Sequence, residues 1–325
     1  MTFSSRLLCY DSRKMSRETR NLDVVIIGAG PAGLAAAIWC RELGLDGIVL
    51  EKEKEAGGQL LSIYNPIANY PGIFAANGRE MRDRFLETAD RYGIETIFSA
   101  NVSRINFAGK EVFTADGLRF AAKAIVLATG VSRRRLNIPG EAEFIGRGIL
   151  ESGSRDKQLV NGKVVAIVGG GDAALENALI LSEFAAKIYL IHRRDNFNSR
   201  AEFVNKVLKN PKIECLYSTA VTQIVGKAAV ESIEVTDLLG RRKHAIPTDF
   251  VLLRIGVVPN SSLLLGTDSL NEAGFPLRIQ TDEPQFVFPA GDVANPVGMT
   301  ISTAAGNGAS AGKAIHDLLK GKKRL

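Results

Sequence analysis

Two stretches of the chain repeat one pattern of apolar and polar positions. In the first, the apolar run Val24–Ile27 leads into Gly28-Ala29-Gly30-Pro31-Ala32-Gly33, then a helically spaced segment to about Gly44, then the run Gly47–Leu50 ending at Glu51. In the second, Val164–Val168 leads into Gly169-Gly170-Gly171-Asp172-Ala173-Ala174, a helical segment to about Phe184, and the run Ile188–Ile191 ending at His192-Arg193-Arg194. Unbroken apolar runs of this length predict strands buried on both faces, as in a parallel sheet. Each stretch therefore predicts a βαβ unit of about 30 residues with a glycine turn at the strand-to-helix step.

The rest of the chain supports that frame. Met81, Phe85 and Ala89 share one helix face, closed by Gly93, and predict a helix covering the sheet. The run Ala124–Leu127 predicts a strand ending in Ala128-Thr129-Gly130, a candidate ligand edge, and Arg133-Arg134-Arg135 beyond it reads as a solvated linker. Residues 213–255 read as short strands with a Leu239-Gly240 turn, and Pro259-Asn260 marks a crossover between domains. Phe286–Phe288 predicts a strand delivering Gly291-Asp292. The helix after it carries Ser302, Ala304, Ala305, Gly306, Gly308 and Gly312, intrinsically poor helix formers that suggest something bulky against its start. Ser199-Arg200-Ala201-Glu202 reads as a capping box.

Length and composition narrow the class. At 325 residues the chain suits two domains, and 46% apolar with 23% charged residues is a globular balance. No run approaches 18 apolar residues, which predicts no transmembrane helix. Cys9, Cys40 and Cys215 form no CxxC, and with His192, His244 and His316 scattered there is no metal spacing, which predicts a reducing cytoplasmic setting and no metal. No Walker A loop occurs. The net charge of +6 is carried by residues 1–20 (+3) and 320–325 (+4), leaving −1 between them, so no nucleic-acid or membrane partner is expected. Residues 1–20 lack an apolar signal core and read as a flexible basic tail, with Met15 an alternative start.

The glycine turns carry the chemistry. The first glycine permits the tight turn, the second lets the backbone approach a pyrophosphate, and the third position packs helix against strand. Glu51 lies 18 residues after Gly33, and His192 lies 18 after Ala174, so the two positions are equivalent. A carboxylate there suits a ribose 2′-OH, whereas the basic triplet, with Arg200 downstream, suits a 2′-phosphate. One site for FAD and one for NADPH is the natural pairing.

These motifs, with Gly57-Gly58-Gln59, Asn69–Gly72, Ile255-Gly256, Pro259-Asn260 and Gly291-Asp292-Val293, resemble the low-molecular-weight thioredoxin reductase family, class II of the pyridine nucleotide-disulfide oxidoreductases, from about residue 22 to 320. The resemblance implies an α/β fold of two Rossmann-like domains (three-layer ββα). It implies an FAD domain of residues 22–135 and 253–325, interrupted by an NADPH domain of 136–252. It also implies a homodimer and a domain rotation that alternates access to the flavin. FAD would be held by Gly28, Gly30, Pro31, Ala32 and Gly33, by Glu51 and Lys52, and by Gly58, Gln59, Leu60 and Asn69. Val102, Ala128, Thr129 and Gly130 would join them, as would Gly291, Asp292, Met299, Thr300 and Ile301. NADPH would be held by Gly169, Gly171, Asp172, Ala173, Ala174, His192, Arg193, Arg194, Arg200 and Ile255.

The departure from that family is equally specific. Ser152 and Arg155 stand where its redox CxxC would be, and neither side chain can supply a thiolate. Met299-Thr300 replaces the family's Arg-Gln near the flavin. The reading is a flavoprotein in which hydride passes from NADPH to FAD and then directly to an external acceptor, with no general acid or base required. Three alternatives stay open. A ferredoxin or flavodoxin reductase of this type would carry a longer C-terminal extension with an aromatic. A low-molecular-weight disulfide reductase of the bacillithiol type would carry a cysteine at Ala32. A non-catalytic flavin and NADPH sensor would have lost the relay. The partner is a small redox protein (ferredoxin, flavodoxin or thioredoxin-like) or a small molecule.

Overall fold

The computed structural model describes residues 18–277 and 286–321, together with the backbone of 8–11. The chain divides into two units. Unit 1 holds the stretches up to Ser132 and from Val258 onward, and unit 2 is Arg133–Val257.

Unit 1 begins with β1 (Leu8–Asp11), β2 (Arg20–Ile27), α1 (Pro31–Glu42) and β3 (Gly47–Leu50). The hairpin β4 (Ile67–Tyr70) and β5 (Ile73–Ala75) precedes α2 (Gly78–Arg91) and β6 (Glu95–Phe98). A meander of β7 (Val102–Asn106), β8 (Glu111–Thr114) and β9 (Arg119–Leu127) follows, then β10 (Val131–Arg133). The strands run in the order β1-β6-β3-β2-β9-β8-β7. The first half of β9 pairs antiparallel with β8, and its second half pairs parallel with a late strand, residues 287–289.

Unit 2 holds β11 (Ile149–Leu150), α3 (Gly153–Asp156), β12 (Val164–Val168), α4 (Asp172–Ser182), β13 (Lys187–Ile191), α5 (Ala201–Leu208) and β14 (Ile213–Leu216). The antiparallel β15 (Thr219–Gly226), β16 (Val230–Asp237) and β17 (Lys243–Pro247) form their own sheet before β18 (Phe250–Leu253). The parallel sheet has the order β11-β18-β12-β13-β14. The chain then returns to unit 1 through β19 (Val257–Pro259), β20 (Val287–Pro289) and α6 (Ile301–Leu319).

Alternation sorts each sheet's side chains into two cores. In unit 1, Val24, Ile26, Val49, Ala124 and Val126 face α1 and α6, while Val25, Ile27, Ile48, Ile125 and Leu127 face Val112, Phe120 and Val293. In unit 2, Val165, Ile167, Ile188 and Leu190 face α4, while Ala166, Val168 and Ile191 face the antiparallel sheet. Burial of both faces is why these strands read as unbroken apolar runs.

Three expectations change. Residues 8–11, read within a flexible tail, pair parallel with β6 as an edge strand, Leu8 opposite Glu95. The remainder of that tail up to residue 17, and the basic end beyond 321, lie outside the described residues. The small residues of α6 answer to α1: a Cβ on Gly308 would lie 2.0 Å from the Ala32 carbonyl oxygen, and one on Gly312 would lie 3.1 Å from the Trp39 Cβ. The Ser199 capping box does not form. Arg200 is the N-cap of α5 without a side-chain hydrogen bond, and the Ser199 hydroxyl donates to Asp172 Oδ1 at 2.6 Å. Among the described residues, no helix is long and apolar enough to cross a membrane.

Candidate functional site

In unit 1 the parallel strands β3, β2, β9 and β20 end on one edge of the sheet, and the expected residues gather there. Gly28 (φ +106°) opens the turn, and a Cβ on it would lie 2.4 Å from the Ala128 carbonyl oxygen. A Cβ on Gly33 would lie 1.8 Å from the Gly28 carbonyl oxygen, so the third glycine closes helix onto turn. Gly30 has nothing within 4 Å of where its Cβ would be, which leaves the middle of the turn open. Glu51 is only 6% exposed, and its carboxylate accepts from Ala29 N–H at 2.7 Å and Glu53 N–H at 2.9 Å. The turn and the carboxylate thus form one rigid piece.

The segment after Glu51 folds back onto this edge. Gly57 N–H donates to the Ala29 carbonyl, Leu60 is buried, and Gln59 Nε2 donates to Asp292 Oδ2 at 3.0 Å. Burial pushes the Asp292 carboxyl up from its ordinary value, and the Gln59 hydrogen bond opposes this. Gly291 sits against Ala32, where a Cβ would come within 2.7 Å of the Ala32 Cβ. Thr129 donates to the Asn260 carbonyl at 2.7 Å and flanks Gly130.

Other expected residues stand further out. Lys52 is exposed, at 3.8 Å from Glu53 Oε1. Val102 begins β7 two residues beyond Ala100, whose N–H bonds the Glu51 carbonyl. Asn69 is exposed on β4, whose neighbours Ile67 and Tyr70 pack with Leu60 and Ile301. Thr300 is the N-cap of α6 and shares a capping box with Thr303, a role that the sequence reading missed. Met299 precedes it in the loop.

In unit 2, β18, β12 and β13 end side by side around the second glycine turn. A Cβ on Gly169 would meet the Arg254 carbonyl oxygen at 2.1 Å, and one on Gly170 would meet the His192 ring at 2.3 Å. The turn is therefore wedged between the end of β18 and the end of β13. Gly171 is the N-cap of α4, with Ala173 exposed and Ala174 buried in the first turn. Ile255 packs with Val168 and Ile191. His192 stacks on Phe197 at 5.7 Å, and its buried Nε2 has no hydrogen-bond partner. Burial, then the charges of Arg194 and Arg193, hold the His192 imidazole below its ordinary value. Arg193 and Arg194 are exposed. Arg200 is held by Asp172, with Nε to Oδ2 at 2.9 Å and N–H to Oδ1 at 2.8 Å. The Ser199 hydrogen bond, with those from Arg200, keeps the Asp172 carboxyl below the usual range.

Both turns fit a dinucleotide. Side chains cap α2 (Asn77), α3 (Ser152) and α6 (Thr300), whereas α1, α4 and α5 have no side-chain cap; the N-caps of α1 and α4 are the turn glycines Gly30 and Gly171. The first-turn N–H groups at those two glycines are left for a ligand phosphate. The orphaned His192 Nε2 beside Arg193 and Arg194 is a further polar group awaiting a partner in unit 2.

The stretch around Ser152 and Arg155 is built from charge. Ser152 caps α3, its hydroxyl accepting from Arg155 N–H at 3.4 Å. Arg155 bonds the Glu151 carboxylate and donates from Nε to Asp156 Oδ1 at 2.6 Å. Asp156 is 5% exposed and accepts from the N–H groups of Glu151 at 2.8 Å and Ser152 at 3.0 Å. Burial alone would raise its carboxyl, but Arg155 and these two N–H groups outweigh burial and hold it below the ordinary value. The described thiols are free: Cys40, buried in unit 1 and pushed up to about 12 by burial, and Cys215 on β14 of unit 2, also raised by burial. Arg133 and Arg134, read as linker, instead make specific bonds. Arg133 Nη1 donates to the Glu151 carbonyl, and Arg134 N–H donates to the Gly256 carbonyl at 3.0 Å.

Residues 22–308 match the family described as pyridine nucleotide-disulphide oxidoreductase. The chain is similar to a 34.2 kDa protein in the rubredoxin operon of Clostridium pasteurianum, at 31% identity over 94% of this chain and 100% of that one. It is also similar to the thioredoxin reductase of Peptoclostridium acidaminophilum, at 34% identity over 89% of this chain and 94% of that one. Among solved structures, Lactococcus lactis thioredoxin reductase aligns with a TM-score of 0.81 at 28% identity, over 92% of this chain and 99% of that one. The bacillithiol disulfide reductase of Bacillus cereus shares the fold, with a TM-score of 0.74 at 21% identity.

Proposed function

The chain belongs to the pyridine nucleotide-disulphide oxidoreductase family, and from that premise we propose that it is an NADPH-dependent FAD oxidoreductase that reduces an external acceptor without a dithiol of its own. The observation that carries this reading is the Glu151–Asp156 stretch, where Ser152 and Arg155 are fixed as a helix cap and an ion-pair partner. When bound, FAD supplies the two-electron relay between the nicotinamide and the acceptor.

The chain's own residues bind and orient. The N–H groups at the start of α1 would hold the FAD phosphates, and Glu51, held from two sides, would offer its remaining lone pairs to the ribose. Asp292 and Gln59 form the polar pair suited to the ribityl side. In unit 2 the start of α4 would meet the NADPH phosphates. Arg193 and Arg194 would hold the 2′-phosphate, with Arg200 restrained by Asp172. The His192 imidazole is held below its ordinary value by burial, then by the charges of Arg194 and Arg193. The protein is further proposed to act as a cytoplasmic homodimer, which light scattering of the purified flavoprotein would check.

The test is anaerobic stopped-flow mixing of the flavoprotein with NADPH, then reoxidation by ferredoxin, flavodoxin, menadione and a low-molecular-weight disulfide in parallel. Rapid flavin bleaching and turnover with at least one acceptor are expected. Absence of bleaching on a turnover timescale would leave a non-catalytic sensor as the better reading.

A further inference from the structure

Three arginines converge on the turn after β11. Arg133 Nη1 and Arg254 Nη2 both donate to the Glu151 carbonyl oxygen, Arg254 at 2.9 Å, and Arg155 bonds the Glu151 carboxylate. Arg254 spends one more donor on the Leu253 carbonyl at 2.9 Å. Neither Arg133 nor Arg254 forms an ion pair among the described residues. The one carboxylate acting on Arg254 is Asp156, and its oxygens are taken by Arg155 and two backbone N–H groups. Two guanidiniums are thus held together around a single neutral oxygen, with most of their ten N–H donors unspent.

Such an arrangement is costly when no anion is present. Like charges repel, and a partly buried cation loses hydration without a compensating partner. Burial, and then the charge of Arg133, pull the Arg254 guanidinium down to about 10, which still leaves it protonated at neutral pH. An oxyanion accepting charge-assisted hydrogen bonds from both forks would offset that cost.

The placement says what kind of ligand could supply it. β18 and β13 flank β12 on opposite sides, so Arg254 and His192 flank the second glycine turn, roughly 10 Å apart at two strand spacings. The basic triplet lies on the β13 side of the turn, where it would hold the 2′-phosphate of a dinucleotide, and Arg254 lies on the β18 side.

We propose that Arg133 and Arg254 form a recognition site for an oxyanion, a carboxylate or phosphate of a small ligand, beside the second glycine turn and distinct from the His192-Arg193-Arg194 triplet. The site goes beyond the proposed reaction and does not depend on it, because anion binding is measurable without turnover.

The test is calorimetric titration of the full-length FAD-loaded protein with inorganic phosphate against ionic-strength-matched chloride. An Arg193→Ala, Arg194→Ala background silences the triplet. Phosphate binding is expected to persist in that background and to weaken at least tenfold when Arg254→Gln or Arg133→Gln is added, with Arg254→Lys retaining part of it. Arg133 is exposed, so its substitution keeps the test valid if Arg254→Gln fails to fold. No phosphate binding in the background protein, or unchanged binding in both glutamine variants, would overturn the proposal. Two further arms, both supportive, assign the source. A comparable loss of NADPH and NADH affinity in the Arg254 variant points to a coenzyme phosphate. Unchanged coenzyme affinity, with a raised KM for anionic ferricyanide but not for neutral menadione, points to the acceptor.

Discussion

Gly306→Ala and Gly308→Ala make a matched pair on one helix. Both lie inside α6, so each substitution gains about 1 kcal/mol of helix propensity. At Gly306 nothing lies within 4 Å of the new methyl, and the gain should be realised in full. At Gly308 the methyl would lie 2.0 Å from the Ala32 carbonyl oxygen, 2.9 Å from its carbon and 3.0 Å from Ala36 N. Ordinary contact begins near 3.4 Å, and the obstacle is helix backbone, so α1 and α6 must separate by about 1 Å. The propensity gain cancels in the comparison, leaving an overpacking cost of about 1–3 kcal/mol by which Gly308→Ala should be the less stable. The single tryptophan, Trp39, sits on α1 against Gly312, so urea unfolding followed by its fluorescence reports this interface. Because α1 starts at the glycine turn, Gly308→Ala should also retain less FAD per chain after gel filtration. Equal stability of the two variants, or a more stable Gly308→Ala, would refute the packing argument.

Three further outcomes follow. Arg193→Ala with Arg194→Ala should raise KM for NADPH at least tenfold and leave that for NADH within about twofold, since exposed guanidiniums act on the 2′-phosphate alone; equal loss for both coenzymes in steady-state assays would count against the triplet. Asp156 holds a folded-state proton affinity below its ordinary 3.8, so its stabilisation is present above that pH and is lost as pH falls through the lower folded value. Asp156→Asn should therefore destabilise the protein at pH 7, and the gap from wild type should narrow on acidification below about pH 4; a gap that widens in acid denaturation series contradicts this. Cys40, raised to about 12, should resist iodoacetamide at pH 8 in the native protein and react once unfolded, as peptide mass spectrometry would show.

Much of this protein is local and therefore legible in the sequence. A glycine turn between a buried strand and a helix needs only neighbouring residues. So Gly28–Gly33, Gly169–Ala174 and the residues closing each βαβ unit, Glu51 and His192, stand where their spacing placed them. Burial on both sheet faces wrote the strands as apolar runs. The missing CxxC could also be read directly, because it depends on residue identity alone.

The partnerships were not legible. Gln59 meets Asp292 across 233 residues, and Arg254 meets Glu151 across 103. Arg200 does start α5, but its tie to Asp172 could not be read from the spacing. The small residues of α6 suggested something bulky against its start, and the fold shows the backbone of α1 packed there. Hydrogen bonds and ion pairs of this kind are chosen by which strand ends share a sheet edge, and that order is set by burying whole sheet faces. Sequence spacing fixes what a residue can offer; only the tertiary arrangement, by bringing distant strand ends within about 3 Å reach, decides what accepts it.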